Sequence, residues 1–317
     1  MRVVFLGSPE FSLNCLKQIL AHHEVIAVVT QPDAPAGRGQ KLVKCPVAEF
    51  AIRNSLNLYQ FEKISRDGVD ILKSLKPDIM VTCAYGQILS QEVIDIAKYG
   101  IINVHASLLP KYRGASPIQS AIINGEKETG ITIMQTEAGL DTGDIILFEK
   151  VAIGDDETSG ELTERLSEVG SRLVIIALDQ IANGTAEFTK QKHTDATTTK
   201  KLNKINCTIN FNRTSEQINN LVRGANPDPI ARATINGESV KIYKTRVRND
   251  LVKDAPNGTV LDCSSAKAGL FISCGVGVIE VLEIQFPGGK VISGANAIGG
   301  RKISVGQKFD DFGELLI

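Results

Sequence analysis

The chain has 317 residues, enough for two domains with ordinary hydrophobic cores, because domains typically span about 100 to 200 residues. Hydrophobic residues make up 43% of it, which argues against disorder, and no apolar run approaches the length of a membrane-spanning helix. With 35 basic and 36 acidic residues the formal net charge is −1, so charge alone does not indicate a nucleic-acid-binding protein.

The cysteines and histidines form no pattern typical of a metal or redox site. Six cysteines are spread over the chain without a Cys-x-x-Cys pair, and there are only four histidines. We therefore predict no metal site and expect the thiols to be reduced packing residues. The apolar run near the first residue is too short for a signal-peptide core, so we expect a cytoplasmic protein with no membrane partner.

The first elements indicate a sheet of parallel strands. Arg2 to Leu6 has the pattern of a buried strand, a Gly-Ser-Pro turn follows, and apolar residues at helical spacing predict a helix up to Leu20. Glu24 to Val29 is the next predicted strand. This order predicts a Rossmann-like, doubly wound parallel sheet of the α/β class. A Gly-x-Gly-x-x-Gly fingerprint is missing after the first strand, which disfavours a nicotinamide-dependent enzyme.

The segment from Thr30 to Lys41 is rich in proline and glycine and looks too irregular for a helix or a strand. It therefore predicts a long loop, and long loops in compact domains often carry function. Arg38 lies between two glycines, so its guanidinium can reach a phosphate without hindrance from its neighbours. The residues alone leave open the alternative of a solvent-exposed crossover loop.

A polar pair ends the strand predicted after Gly100. The apolar residues Ile101 and Ile102 are followed by Asn103 and His105, and residues two apart on a strand face the same way. In open parallel sheets, ligands bind at the carboxyl ends of the strands. We therefore interpret these two side chains as a pair that can stabilise an oxyanion and carry a proton.

A second polar stretch, residues 139–144, lies between apolar runs predicted to be strands at Ile131–Met134 and Ile145–Phe148. If Asp141 of this corner folds back to His105, its carboxylate would orient the imidazole and favour the charged form. A structural alternative stays open at this point. An isolated histidine is usually structural, and Asp-Thr-Gly-Asp is also good turn chemistry.

Three motifs in this order resemble the signature of folate-dependent formyltransferases: Asn103-x-His105, Ser107-Leu108-Leu109-Pro110 and Gly139-Leu140-Asp141-Thr142-Gly143-Asp144. The resemblance implies a formyltransferase fold and 10-formyltetrahydrofolate as co-substrate, without a metal. It implies Asn103, His105 and Asp141 as the catalytic residues. It also implies that Ser107, Leu108, Leu109 and Pro110 bind the folate.

The loop segment Gln-Pro-Asp-Ala-Pro-Ala-Gly-Arg-Gly, residues 31–39, resembles the inserted loop of the family members that act on methionyl-tRNA. Ala34 stands where those members commonly have arginine. The resemblance implies that the loop reaches the acceptor stem, with Arg38 and Lys41 as tRNA-binding residues. The expected reaction is formyl transfer to the α-amino group of methionine on initiator methionyl-tRNA, and we expect a monomer.

The second half of the chain predicts a change of architecture. A long helix is predicted from Ser159 to Asn183, after which residues 190–206 lose periodicity and indicate a linker. After one more helix, short alternating segments separated by Gly, Asn and Pro turns predict a smaller OB-like β-barrel. The predicted domains are a catalytic domain at 1–189, the linker at 190–206, and a tRNA-binding domain at 207–317.

Positive charge follows one barrel segment, at Lys241, Lys244, Arg246 and Arg248, where it suits either a nucleic acid or a solvated strand face. Two other functions stay open. A formyltransferase for a small amine would keep the catalytic motifs without needing the Arg38 loop. A non-catalytic RNA-binding protein is disfavoured because Asn103, His105 and Asp141 are all intact.

Overall fold

A computed structural model describes residues 1–36, 41–262 and 269–310. Contacts divide the chain into two compact units. Unit 1 consists of Met1–Pro117, Glu128–Ala152 and Thr163–Thr199, whereas unit 2 consists of Ile118–Lys127, Ile153–Leu162 and the chain from Lys200 onward. Within the described ranges, no helix is long and apolar enough to cross a membrane.

The chain up to Thr199 contains both strands and helices. Its strands, in chain order, are β1 (Arg2–Gly7), β2 (Glu24–Thr30), β3 (Ala34–Ala36), β4 (Lys41–Val43), β5 (Leu58–Gln60), β6 (Ile79–Cys83), β7 (Ile101–His105), β8 (Arg113–Gly114), β9 (Glu128–Gln135), β10 (Ile145–Ala152) and β11 (Thr198–Thr199). Its helices are α1 (Leu13–His22), α2 (Pro46–Arg53), α3 (Val69–Leu75), α4 (Gln91–Ile94), α5 (Pro117–Ile123) and α6 (Ser159–Asn183). The predicted helices and strands of this part are thus present, with ends that differ by a few residues.

Unit 1 is built on a seven-stranded sheet of order β10-β9-β7-β6-β1-β2-β5. The strands from β7 to β5 in this order are parallel, which confirms the doubly wound prediction. Strands β9 and β10 are antiparallel to their neighbours. The turn between β9 and β10 is too short for the crossover that a parallel pair would need. The residues from Val3 to Leu6 are fully buried, as expected for a central strand covered on both faces.

The expectation that residues 30–41 contain no strand is wrong. Strands β3 and β4 form a short antiparallel ladder in which Ala34 pairs with Val43 and Pro35 pairs with Leu42. Proline tolerates this position because a two-stranded ladder has only edge strands, where a missing N–H is least costly. Arg38 lies outside the described residues.

Unit 2 contains most of the remaining regular structure, in chain order α7 (Ser215–Gly224), β12 (Ala231–Ile235), β13 (Glu238–Arg248), β14 (Leu270–Ser273), β15 (Val278–Gln285), β16 (Val291–Ser293) and α8 (Gly294–Gly299). Its antiparallel sheet has the order β12-β13-β15-β14, with β16 paired to β15. Single bridges from Ile272 to Val260, from Thr259 to Lys308 and from Phe309 to Ile235 lead from β14 back to β12. These bridges close the ring, so the predicted small barrel is present.

Two sequence-distant segments belong to unit 2. Ile123 at the end of α5 packs against the barrel core. The Arg223 guanidinium donates to the carbonyls of Gly154 and Glu157 at 2.9 and 3.1 Å, and its Nε donates to Asn220 at 2.9 Å. The second compact unit is therefore not contiguous in sequence, and the domain boundaries at 189 and 207 stay a prediction.

Candidate active site

Asn103 lies near the carboxyl end of β7, beside the end of β6. The two strands are parallel, and Thr82 is the direct neighbour of Asn103 in the ladder. The Thr82 hydroxyl donates to Oδ1 of Asn103 at 2.9 Å and has a longer contact, 3.3 Å, to the carbonyl of Ile102. Because the amide oxygen of Asn103 accepts this bond, its NH2 group is the part that is available as a donor.

His105 is the last residue of β7, and its side chain is only 6% exposed. Nε2 lies 3.0 Å from the carbonyl oxygen of Tyr112, so this nitrogen donates when it carries a proton. Nδ1 lies 3.6 Å from Oδ2 of Asp141, within ion-pair range but longer than a hydrogen bond. Both ring nitrogens face acceptors, and only the protonated ring has an N–H for each.

Asp141 reaches His105 from the turn between β9 and β10. Its Oδ2 also accepts a hydrogen bond from the backbone N–H of Gly114 at 2.7 Å. The backbone of Asp141 has φ of 50°, in the left-handed region that few non-glycine residues adopt. Gly143 closes the turn, because a Cβ there would overlap the carbonyl oxygen of Gln135.

The segment from Ser107 to Pro110, predicted to bind folate, continues directly from His105. The Ser107 hydroxyl donates to the carbonyl of Lys111 at 2.6 Å. Thr132, which pairs with His105 across the sheet, donates to the carbonyl of Ser107 at 2.7 Å and accepts from the Leu109 N–H at 3.2 Å. These bonds fix the segment at the carboxyl end of β7, next to Asn103 and His105.

Glutamine side chains tie together the strand ends on the other side of β6. Gln31, at the end of β2, donates to the carbonyl of Tyr85 at 2.8 Å. Gln87 donates to the carbonyl of Phe61 at 2.9 Å and accepts from the Ile64 N–H at 2.9 Å. Burial raises the pKa of the Tyr85 phenol to about 12, and this hydroxyl has no hydrogen-bond partner in the part of the chain that the structure describes.

The sequence prediction missed several residues that contact the site. Thr82 and Gly114 bond directly to Asn103 and Asp141. Gln191 is buried and bonds to the turn of Asp141, and Arg113 bonds to Gln191. Gly114 lies shortly after the predicted folate-binding segment and could have been suspected. Gln191 lies in a segment without periodicity, at the start of the predicted linker, and no local pattern identifies it.

The two predicted tRNA-binding residues differ in whether the structure describes them. Lys41 lies in β4 and is exposed, whereas Arg38 lies outside the described residues. In the basic segment of β13, Arg248 pairs with Asp250 at 2.7 Å and with Glu280 at 3.1 Å. This pairing cancels part of the positive charge predicted for that barrel face. Over the described ranges, no group of three or more His, Cys, Asp or Glu side chains could hold a metal ion.

Comparison with known families covers both parts of the chain. The family model described as "Formyl transferase" matches residues 1–178. The model described as "Formyl transferase, C-terminal domain" matches residues 201–302.

Curated relatives match over nearly the full length. The methionyl-tRNA formyltransferase of Acetivibrio thermocellus is 43% identical over 309 residues, 97% of this chain and 99% of that protein. The methionyl-tRNA formyltransferase of Alkaliphilus metalliredigens is 45% identical over 308 residues, 96% of this chain and 97% of that protein.

Solved structures show the same fold. An N-formyltransferase from Helicobacter canadensis, in complex with folinic acid and dTDP-3-aminofucose, matches with a TM-score of 0.68 and 24% identity, over 89% of this chain and 98% of that one. WlaRD, a sugar 3N-formyl transferase, matches with a TM-score of 0.67 and 22% identity, over 92% of this chain and 99% of that one. The fold, the two matched models and the full-length relatives show that the chain belongs to the methionyl-tRNA formyltransferase family.

Proposed function

We propose that the protein transfers the formyl group of 10-formyltetrahydrofolate to the α-amino group of methionine on initiator methionyl-tRNA. The observation that carries the proposal is the convergence of Asn103, His105 and Asp141 at the carboxyl end of the sheet, in a chain whose full-length relatives bear that activity in their names. The proposed setting is the cytoplasm, and the proposed form is a monomer.

The reaction needs no nucleophile from the protein. A free α-amino group has a pKa of about 7.7 to 8.0, so a substantial fraction is neutral and nucleophilic near neutral pH. Its attack on the formyl carbon places negative charge on the formyl oxygen. The NH2 group of Asn103 is available for that oxygen because Thr82 occupies Oδ1. Losing one such donor typically costs about 2.7 to 4 kcal/mol of transition-state stabilisation.

His105 supplies the second hydrogen-bond donor to the formyl oxygen, and Asp141 accepts and passes on the transferred proton. Since both ring nitrogens of His105 face protein acceptors, donation to the formyl oxygen requires exchanging the Tyr112 carbonyl for that oxygen. Asp141 orients the ring from Nδ1 during this exchange. Its carboxylate also accepts the proton that the amine loses, directly or through water, for delivery to the departing N10.

Substrate binding is assigned to neighbouring segments. Ser107, Leu108, Leu109 and Pro110 hold the folate beside Asn103. The barrel, Arg38 and Lys41 contact tRNA phosphates. Neutralised phosphates release counterions, so tRNA affinity should fall steeply between low and physiological salt. Measuring the affinity across this range for the parent and for Lys41→Ala tests this assignment. A smaller salt slope in the variant is expected, and an unchanged slope contradicts the role of Lys41.

The substrate is tested by transfer of labelled formyl from 10-formyltetrahydrofolate to charged initiator and elongator methionyl-tRNAs. Glycinamide ribonucleotide and a nucleotide-linked amino sugar serve as competing acceptors. Labelling of the initiator methionyl-tRNA alone is expected. Labelling of a small amine would replace the tRNA assignment, and labelling of nothing would contradict catalysis.

The role of Asp141 is tested by Asp141→Asn in single-turnover transfer. We expect a loss of at least about a hundredfold, because the neutral amide neither accepts the proton nor presents a carboxylate to Nδ1 of His105. The matched control is Asp70→Asn, which removes the same charge from the exposed face of α3. A full rate for Asp141→Asn would show that the carboxylate has no catalytic role.

A further inference from the structure

Gln191 and Arg113 form a buried bracket around the turn that carries Asp141. We propose that both are positioning residues for the Asp141 carboxylate, so that the start of the predicted linker completes the catalytic site. The proposal rests on the function proposed above, because it concerns the same site. It assigns Gln191, which lies 50 residues beyond Asp141, a part in the reaction.

The Gln191 amide uses all of its hydrogen-bonding groups in these contacts. Its Nε2 donates to the carbonyl of Asp141 at 2.9 Å and to the carbonyl of Gly143 at 2.7 Å. Its Oε1 accepts from Nε and from a terminal nitrogen of Arg113, at 3.1 and 2.6 Å. Two donors and two accepted bonds exhaust the hydrogen-bonding capacity of a primary amide. The side chain is 6% exposed, so these bonds are shielded from water.

The contacts form a closed path through Asp141. Gln191 holds the main-chain carbonyl of Asp141, and Arg113 holds Gln191. The next residue, Gly114, donates its N–H to the Asp141 carboxylate at 2.7 Å. One assembly therefore fixes both the backbone and the side chain of Asp141. A further bond, from the side chain of Thr199 to the carbonyl of Arg113 at 3.3 Å, joins the same segment to this path.

The turn is exposed to solvent immediately before Asp141. Gly139 and Leu140, which precede Asp141, are exposed, and the Leu140 side chain is 61% exposed. Asp141 itself has a left-handed backbone conformation, which non-glycine residues seldom adopt. Without bonds from outside the turn, the carboxylate would sample positions away from His105. A misplacement of about 1 Å in a catalytic group can cost on the order of a hundredfold in rate.

Gln191→Glu separates the two sets of hydrogen bonds that Gln191 makes, those to the turn of Asp141 and those to Arg113. A carboxylate of the same size still accepts the bonds from Arg113, but it cannot donate to the carbonyls of Asp141 and Gly143. We expect the single-turnover rate to fall about tenfold to a hundredfold, with little change in the apparent affinity for either substrate. Gln191→Met, which keeps the volume and removes every polar contact, should lose at least as much.

Arg113→Lys tests the hydrogen bonds between Arg113 and Gln191. Lysine keeps the positive charge but lacks the planar fork that reaches Gln191 with two nitrogens. The single-turnover rate should again fall. Gln18→Glu, on the exposed face of α1, is the matched control for introducing a carboxylate and should leave the rate unchanged. Thermal unfolding of each variant shows how far it remains folded.

Two readouts separate positioning from a general loss of structure. In the first, Gln191→Glu is introduced into the parent and into Asp141→Asn. A residue that acts through Asp141 loses its effect in the second background, whereas an equal fold-loss in both backgrounds would overturn the proposal. In the second, the imidazole nitrogen resonances of His105 are followed in full-length protein labelled with 15N-histidine and assigned with His105→Asn.

The spectra keep the test independent of the reaction. The Nδ1 resonance of His105 should shift in Gln191→Glu and stay in place in Gln18→Glu. An unmoved Nδ1 resonance in Gln191→Glu would overturn the positioning role, whatever the activity. If Asp141→Asn keeps the parent rate but Gln191→Glu still shifts the resonance, the positioning stands and the proposed catalytic role of Asp141 fails.

Discussion

At the level of single residues, committed hydrogen bonds determine what each side chain of the site can still do. Thr82 occupies the amide oxygen of Asn103 and leaves its NH2 group as a donor. The Tyr112 carbonyl and Asp141 face the two ring nitrogens of His105, so that ring is held rather than free. The hydrogen-bond partners of buried groups also identify a polar group that has none among the described residues.

Tyr85 is such a case, and we predict that Tyr85→Phe stabilises the protein. Its hydroxyl is buried without a hydrogen bond to the described part of the chain, and an unsatisfied buried group costs about 1 to 3 kcal/mol. The free energy of unfolding should therefore rise by about 1 kcal/mol. The matched control is Tyr243→Phe, whose hydroxyl donates to Gln285 at 2.9 Å and whose loss should destabilise. A clear loss of stability in Tyr85→Phe would contradict the prediction.

The proposed catalytic residues carry a local signal in the sequence. Asn103 and His105 interrupt an apolar strand at alternate positions, and Asp141 lies in a polar turn between two apolar runs. Gln191 and Thr82 carry no such signal. Gln191 is polar in a polar segment, and Thr82 is one β-branched residue in a strand of buried residues. Their roles depend on which segments meet in space, which the local pattern does not contain.

At the level of elements, side-chain capping fixes where α7 begins. The Thr214 hydroxyl accepts from the Gln217 N–H at 3.1 Å, and the Gln217 side chain accepts from the Thr214 N–H at 3.1 Å. This reciprocal box begins α7, which corresponds to the one helix predicted ahead of the barrel strands. The ladder of β3 and β4 was missed because alanine and proline are poor strand formers, so only their pairing reveals the element.

We expect Thr214→Ala to lower the free energy of unfolding of unit 2 by about 1 kcal/mol, because the first turn of α7 loses its side-chain acceptor. Thr214→Ser keeps a hydroxyl at the same place and should stay close to the parent. Chemical denaturation followed by circular dichroism measures both. Equal losses in the two variants would show that the methyl group, and not the cap, is what matters.

At the level of the whole molecule, the second unit draws on segments from three parts of the chain. Gly224, at the end of α7, lies so close to α5 that a Cβ would stand 2.6 Å from Cγ1 of Ile123 and 3.2 Å from the carbonyl oxygen of Gln119. A contact over a hundred residues of sequence cannot be read from periodicity. The sequence therefore predicted both folds correctly but could not show that α5 packs with the barrel.

The packing of α5 in unit 2 predicts that Gly224→Ala destabilises the protein by about 1 to 3 kcal/mol through overpacking. The control is Gly299→Ala at the end of α8, where a Cβ would meet nothing within 4 Å. That variant should be neutral or slightly stabilising, since alanine favours a helix more than glycine does. Thermal unfolding compares the midpoints of the two variants. Equal midpoints would contradict the close approach of α7 to α5.

The position of Gln191 also has a consequence for the order in which the site can be built on the ribosome. A nascent chain presents Asp141 first, and α6 must then be synthesised before the glutamine that bonds to its backbone, 50 residues later, emerges. Domains generally fold as units during synthesis, the N-terminal part first. The sheet can therefore form while the turn of Asp141 still lacks its buried partner, and the site is completed only when the segment leading to the barrel leaves the exit tunnel.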